Sequence, residues 1–115
     1  MNLMHKFTIF MLLTATPAWL RLSRPERNRI AGETLTGALA GLDVTHQHFD
    51  AEAFCGVCSD VAVFETDDLG AYYCVIERLR DTAIFREPYF EVVQIIPAIG
   101  DGFRQFEDRE APYAA

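Results

Sequence analysis

Lys6-Phe7-Thr8-Ile9-Phe10-Met11-Leu12-Leu13 is the stretch on which the fold turns. In an extended chain, Phe7, Ile9, Met11 and Leu13 emerge on one face, and Phe10 and Leu12 emerge on the other. Apolar side chains on both faces describe a strand covered from two sides, and Phe7 to Phe10 are residue types that favour strands. His5 and Lys6 ahead of the apolar run through Ala15, with Ala18 beyond it, also resemble a secretory leader. The shortness of the run and the helix start just after Trp19 favour a first strand. His5 itself is read as incidental.

Downstream, Thr14 to Leu22 is a connection containing Pro17, from which Trp19, Leu20 and Leu22 fold back on the core. Ser23-Arg24-Pro25-Glu26 has the form of a capping box, with proline tolerated in the first helical turn. The helix that follows carries Ile30, Leu35, Ala38, Leu39 and Leu42, with Gly41 as its stop. Gly32 and Gly37 weaken it unless a strand passes close to them. Val44–Asp50 reads as a second strand, Ala51–Ser59 as an irregular stretch and Asp60–Thr66 as a third strand. Asp67 is placed to cap a helix over Asp68–Arg80, with Leu69, Tyr72, Tyr73, Ile76 and Leu79 as its apolar stripe. Asp81–Pro88 is a loop or short turn, and Tyr89–Ile96 a fourth strand ended by Pro97.

Strand, helix, strand, strand, helix, strand, joined by right-handed crossovers, specifies an α+β ferredoxin-like βαββαβ sandwich. It has a four-stranded antiparallel sheet with two helices on one face. Val61 and Val63 oppose Ala62 and Phe64 on the third strand, and Val92 and Ile96 oppose Val93 and Ile95 on the fourth. The face without helices is therefore too apolar for water, and a second copy laid sheet to sheet is the simplest cover. Residues 1–106 make the single domain and 107–115 a flexible acidic tail; within the loose stretch 101–115, Phe103 and Phe106 can dock one short turn.

A chain of 115 residues buries roughly two thirds of its unfolded surface, enough for one ordinary core. Its net charge of −7, with arginines only scattered over Arg21, Arg24, Arg27 and Arg29, disfavours nucleic acid and membrane surfaces as partners. Three cysteines, an odd count, argue against a closed disulfide framework and for a reducing, cytoplasmic setting. No phosphate loop, nucleotide fingerprint or serine-nucleophile motif is present.

Several strings carry a family resemblance: Phe7-Thr8-Ile9-Phe10-Met11-Leu12-Leu13, Thr16-Pro17-Ala18-Trp19-Leu20, Phe49-Asp50-Ala51-Glu52-Ala53-Phe54, Ser59-Asp60-Val61-Ala62-Val63-Phe64-Glu65-Thr66 and Pro88-Tyr89-Phe90-Glu91-Val92-Val93. Together they resemble the darcynin family, small bacterial proteins forming a domain of unknown function, over nearly the whole chain up to Phe106. The resemblance implies the dimeric α/β-barrel superfamily, which includes monooxygenases, isomerases and chlorite dismutase-like proteins. It carries no catalytic residue across, and fold alone does not settle function.

His46 and His48 lie two apart on the second strand, so both imidazoles project from one face with Asp50 next in line. Cys55-Gly56-Val57-Cys58 has the spacing that lets two sulfurs reach one metal or each other, although a redox motif of the thioredoxin kind would open a helix and this one leads into a strand. The sharpest metal hypothesis is zinc on His46, His48, Cys55 and Cys58; against it stands a polar edge strand and an inert loop. Cys74 reads as a small packing residue. Glu65 and Glu91 sit in apolar strands, where a carboxylate lines a cavity or meets water at a strand end. Phe10, Trp19, Tyr72, Tyr73, Tyr89 and Phe90 are candidates to line a pocket for a small lipophilic or aromatic ligand, against the plainer reading as core. Two functions stay open: a small-molecule-binding protein or enzyme of monooxygenase or isomerase type, with acid–base groups from His46, His48, Glu65 or Glu91, and a non-catalytic homodimeric or protein-interaction domain. No cofactor is assigned.

Overall fold

The two-faced run becomes an inner strand of the sheet. The structure, a computed structural model, describes residues 6–111; His5 and the last residues of the expected tail lie outside them. Strand β1 spans Phe7–Ala15, β2 Thr45–Asp50, β3 Asp60–Thr66 and β4 Phe90–Ile99. All neighbours are antiparallel in the order β2-β3-β1-β4, the ferredoxin-like arrangement. The long helices α2 (Arg24–Leu39) and α3 (Leu69–Arg80) lie on one face, joined by the short helices α1 (Pro17–Leu20) and α4 (Ala83–Arg86), while α5 (Gly102–Glu110) follows β4.

Ile9, Met11 and Leu13 point under the helices and are buried. They join Ala62 and Phe64 of β3, Ala71, Val75 and Leu79 of α3, and Ala38, Val44 and Phe90 in one core. The inward stripe of α3 is thus Ala71, Val75 and Leu79 at four-residue spacing, with Tyr72 and Ile76 beside it. Leu69 and Tyr73, expected in that stripe, are exposed, and so is Cys74. The cap of α3 is Asp68 rather than Asp67: Asp68 Oδ1 accepts from the Ala71 N–H at 3.2 Å.

Helix α2 packs on α3 and stands off the strands, and only its Ala38 is buried. Gly32 and Gly37 face open space, so no close strand compensates their cost. The helix is held mainly at its ends. At its N-terminus Ser23 accepts from the Glu26 N–H. Arg27 reaches back to the Leu20 and Leu22 carbonyls at 3.0 and 3.1 Å. At its C-terminus Arg78 of α3 donates to the Ala38 and Ala40 carbonyls at 3.1 and 2.7 Å.

Four readings of the sequence change. The first connection is partly regular, because Thr16 caps α1 through the Trp19 N–H and also bonds the Pro88 carbonyl at 2.8 Å. Pro97 does not end β4, which runs on to Ile99; β4 is an edge strand, where a proline costs no ladder bond on the solvent side. A register shift opposite Leu12/Leu13 also changes the phase of β4. Val92 pairs with Leu13 and Ile95 with Met11 on the helix side, whereas Ile96 pairs with Phe10 on the open side. The apolar edge is consequently bare on both faces, with Val92, Val93, Ile95 and Ile96 all exposed. Helix α5 crosses the boundary expected near residue 106, and Phe103 and Phe106 remain 58 % and 64 % exposed instead of docking.

Candidate functional site

Because α2 stands off the sheet, a cavity of about 470 Å³ opens between them. Its floor is the helix-side face of the sheet: Met11, Leu13, Ala62, Phe64 and Phe90. Ala31, Thr34 and Leu35 of α2 form the roof, with Arg24, Arg27 and Asn28 at the start of the same helix, and Trp19 of α1 with Ile84 and Phe85 of α4 form an aromatic end. The Thr16 contacts to the Pro88–Tyr89 segment hold Trp19 there, with its ring 5.4 Å from Tyr89 and 4.9 Å from Phe90.

The opposite wall is polar and comes from the β2 edge. His46, His48 and Asp50 pair with Phe64, Ala62 and Asp60, so the period of the strand aims all of them at the helix side. His48 Nε2 lies 2.8 Å from Asp60 Oδ1, and Ser59 Oγ donates to Asp60 Oδ2 at 2.6 Å. The Ser59 oxygen also accepts from the Ala15 N–H at 2.8 Å, which ties this network to the end of β1. Burial pushes the Asp60 carboxyl up, but the hydrogen bonds from His48 and Ser59 outweigh it and hold the group below the ordinary carboxylate range. The bond to Asp60 in turn raises His48 above the ordinary imidazole value. His46 goes the other way. Its ring sits against Phe64 at 5.2 Å and His48 at 5.7 Å, and burial, reinforced by the neighbouring His48 charge, lowers it to about 4. Two histidines one pleat apart are therefore shifted in opposite directions.

The other candidates lie elsewhere. Trp19 and Phe90 line the cavity; Phe10 is on the open sheet face, Tyr72 packs against Phe64, and Tyr73 meets water. Glu65 is on the open face, where Thr8 Oγ1 donates to it at 3.5 Å, and Glu91 is exposed on β4. Neither reaches the cavity. The four-residue zinc shell is not assembled either: among the described residues, the donors that converge within 4.8 Å are those of His48, Asp50 and Asp60, and the cysteines stand apart from them. Asp60 was legible only as the first residue of a strand. The signal that would have found it is the pairing of Asp50 with Asp60 across the β2–β3 connection, which no single-strand pattern contains.

Comparison with known proteins follows the same architecture. The darcynin family model, a domain of unknown function, matches residues 2–114. Darcynin from Chromobacterium violaceum is 54 % identical over 65 residues, covering 56 % of this chain and 82 % of that one. A darcynin homolog from Granulibacter bethesdensis is 31 % identical over 106 residues, covering 90 % and 85 %. Among solved structures, the putative chlorite dismutase TA0507 superposes with a TM-score of 0.72 at 19 % identity, over 90 % of this chain and 49 % of that one. Chlorite dismutase from Candidatus Nitrospira defluvii, in complex with imidazole, gives 0.68 at 16 % identity, over 90 % and 44 %. The chain spans about half the length of these structural neighbours, and the likeness is one of fold. Among the described residues no helix is long and apolar enough to cross a membrane.

Proposed function

The chain belongs to the darcynin family, a domain of unknown function, and we propose from its own cavity that it binds a small, largely apolar molecule and acts on it by proton transfer at His48. The observation that carries this reading is the coincidence of a largely apolar, aromatic-ended cavity with a hydrogen-bonded His48–Asp60 pair at its polar wall. Asp60 orients the ring through Nε2, which leaves Nδ1 as the atom that takes or gives the proton. Neutral His46 beside it accepts or donates one hydrogen bond without adding charge. A ligand with one oxygen-bearing end and an aromatic or aliphatic body matches this wall and floor.

Trp19, the only tryptophan in the chain, lines the cavity and reports on occupancy. Titration with naphthol as a neutral aromatic probe is expected to change its fluorescence. Ala31→Phe, which fills the roof without adding a second tryptophan, is expected to weaken that response on the order of tenfold or more while circular dichroism stays native. Equal affinity in the two proteins would rule the cavity out as the binding site.

We further infer that two copies pack through the open sheet face, where Phe10, Leu12, Val61 and Ile96 lie without a helical cover. Ile96, 43 % exposed on the edge strand, can be changed without opening the core. Sedimentation of the unmodified protein at micromolar concentration is expected to give a dimer, and of Ile96→Asp a folded monomer. A wild-type monomer at that concentration would remove the interface from the account.

A further inference from the structure

The geometry points to the Cys55–Cys58 pair as a thiol–disulfide exchange site that reduces small-molecule disulfides. Three features of the β2–β3 connection support it, and none depends on the cavity. First, the loop is tied so that the thiols face each other. Ala51 N–H donates to the Ser59 carbonyl at 2.8 Å at its base, and the Ala51 carbonyl accepts from the Phe54 and Cys55 N–H groups at 2.9 Å, leaving the two sulfurs 4.0 Å apart. Both thiols are free, and their closure into a disulfide requires only a small approach.

Second, the two thiols are unequal in the way sequential exchange requires. Cys55 is half-exposed and its sulfur accepts from the Val57 N–H at 3.4 Å, whereas Cys58 is buried. The backbone N–H groups of Cys58 and Val57 draw the Cys55 thiol below its ordinary value, and burial pushes Cys58 above it. Cys55 is therefore the attacking group and Cys58 the resolving one. Third, Phe54 and Val57 flank the pair and are 93 % and 66 % exposed, an apolar rim suited to an aromatic disulfide. No third metal-binding side chain joins the two sulfurs among the described residues, so a structural metal does not account for the arrangement.

In the reaction, the Cys55 thiolate attacks one sulfur of the disulfide RSSR, forming Cys55–S–SR and expelling RS⁻. Cys58 loses its proton to solvent and attacks Cys55 Sγ, forming the Cys55–Cys58 bond and expelling the second RS⁻. Two electrons pass from the dithiol to RSSR, and the products are one protein disulfide and two thiols.

The test uses the reduced full chain with Cys74→Ser, which removes the exposed thiol on α3, and dithiodipyridine as a neutral aromatic disulfide. Two equivalents of thiopyridone are expected, with the protein lighter by two hydrogens and Cys55 joined to Cys58 on peptide mapping. With Cys58→Ser added, one equivalent is released and the thiopyridyl group stays on Cys55. With Cys55→Ser added instead, release slows on the order of tenfold because the remaining thiol is buried. The inference is overturned if the Cys74→Ser protein stops at a stable mixed disulfide, a result read within one protein and independent of how the double variants fold. It is equally overturned if Cys55→Ser leaves the rate unchanged in a natively folded chain.

Discussion

Phe64→Ala is expected to lower the stability of the fold by about 3–5 kcal/mol, enough to leave a small domain barely folded. Phe64 is 1 % exposed and sits where three parts of the molecule meet. It pairs with Ile9 across β1 and with His46 across β2, and its ring lies 5.9 Å from Tyr72 of α3 and 5.2 Å from His46. Truncation removes a phenyl group beside a cavity that already exists, so the surroundings have little with which to close the gap. It also opens the His46 ring to water, which should return that imidazole toward its ordinary value. Urea denaturation measures the first effect and a histidine NMR titration the second. A loss below about 1 kcal/mol would mean that the helical layer collapses onto the sheet more readily than its standing-off geometry suggests.

The second large effect is a two-sided dependence of stability on pH. His46 titrates at about 4 in the folded chain and at 6.5 when free, so between these values the unfolded chain binds a proton that the native one does not. Its contribution is lost as pH falls from 6.5 toward 4. The full shift corresponds to about 3 kcal/mol, and since the ring is only half-buried, solvent screening reduces this to about 1–2 kcal/mol. His48 has the opposite sign. Its folded value is raised by the bond to Asp60, so its contribution is complete below 6.5 and is lost as pH rises through that raised value. Asp60, held below the ordinary carboxylate range, contributes above 3.8 and loses its effect only as pH falls further. Stability should peak near the unperturbed imidazole value and decline on both sides. His46→Gln is expected to flatten the acid limb, and His48→Gln or Asp60→Asn the alkaline one. Denaturation curves of the four proteins between about pH 4.5 and about pH 8 separate the limbs, because surface carboxylates cancel in the differences. An acid limb that survives in His46→Gln would show that another group produces it.

The order of the four strands and two long helices, the ferredoxin-like topology, the two-faced first strand and the shared orientation of His46 and His48 were all legible in the sequence. The reason is that strand alternation, capping and crossover handedness act over a few residues or follow simple rules of connection. The polar sequence Thr45-His46-Gln47-His48 also suits the edge position that β2 takes.

Which carboxylate serves the histidines depends on the folded arrangement. Asp60 meets His48 because β2 and β3 pair in a register that places Asp50 opposite Asp60, whereas Glu65, one of the candidates named from its apolar strand, turns to the other face. Register is a property of two strands together. The cavity was equally out of reach of the sequence, since it exists because α2 is held at its ends by Arg27 and Arg78 and buries only Ala38 between them. The continuation of β4 through Pro97 depends on its being an edge strand, and its change of phase at Leu12/Leu13 on the partner beside it. Pattern within a segment assigned each strand and helix its type, and pairing between segments assigned this protein its site.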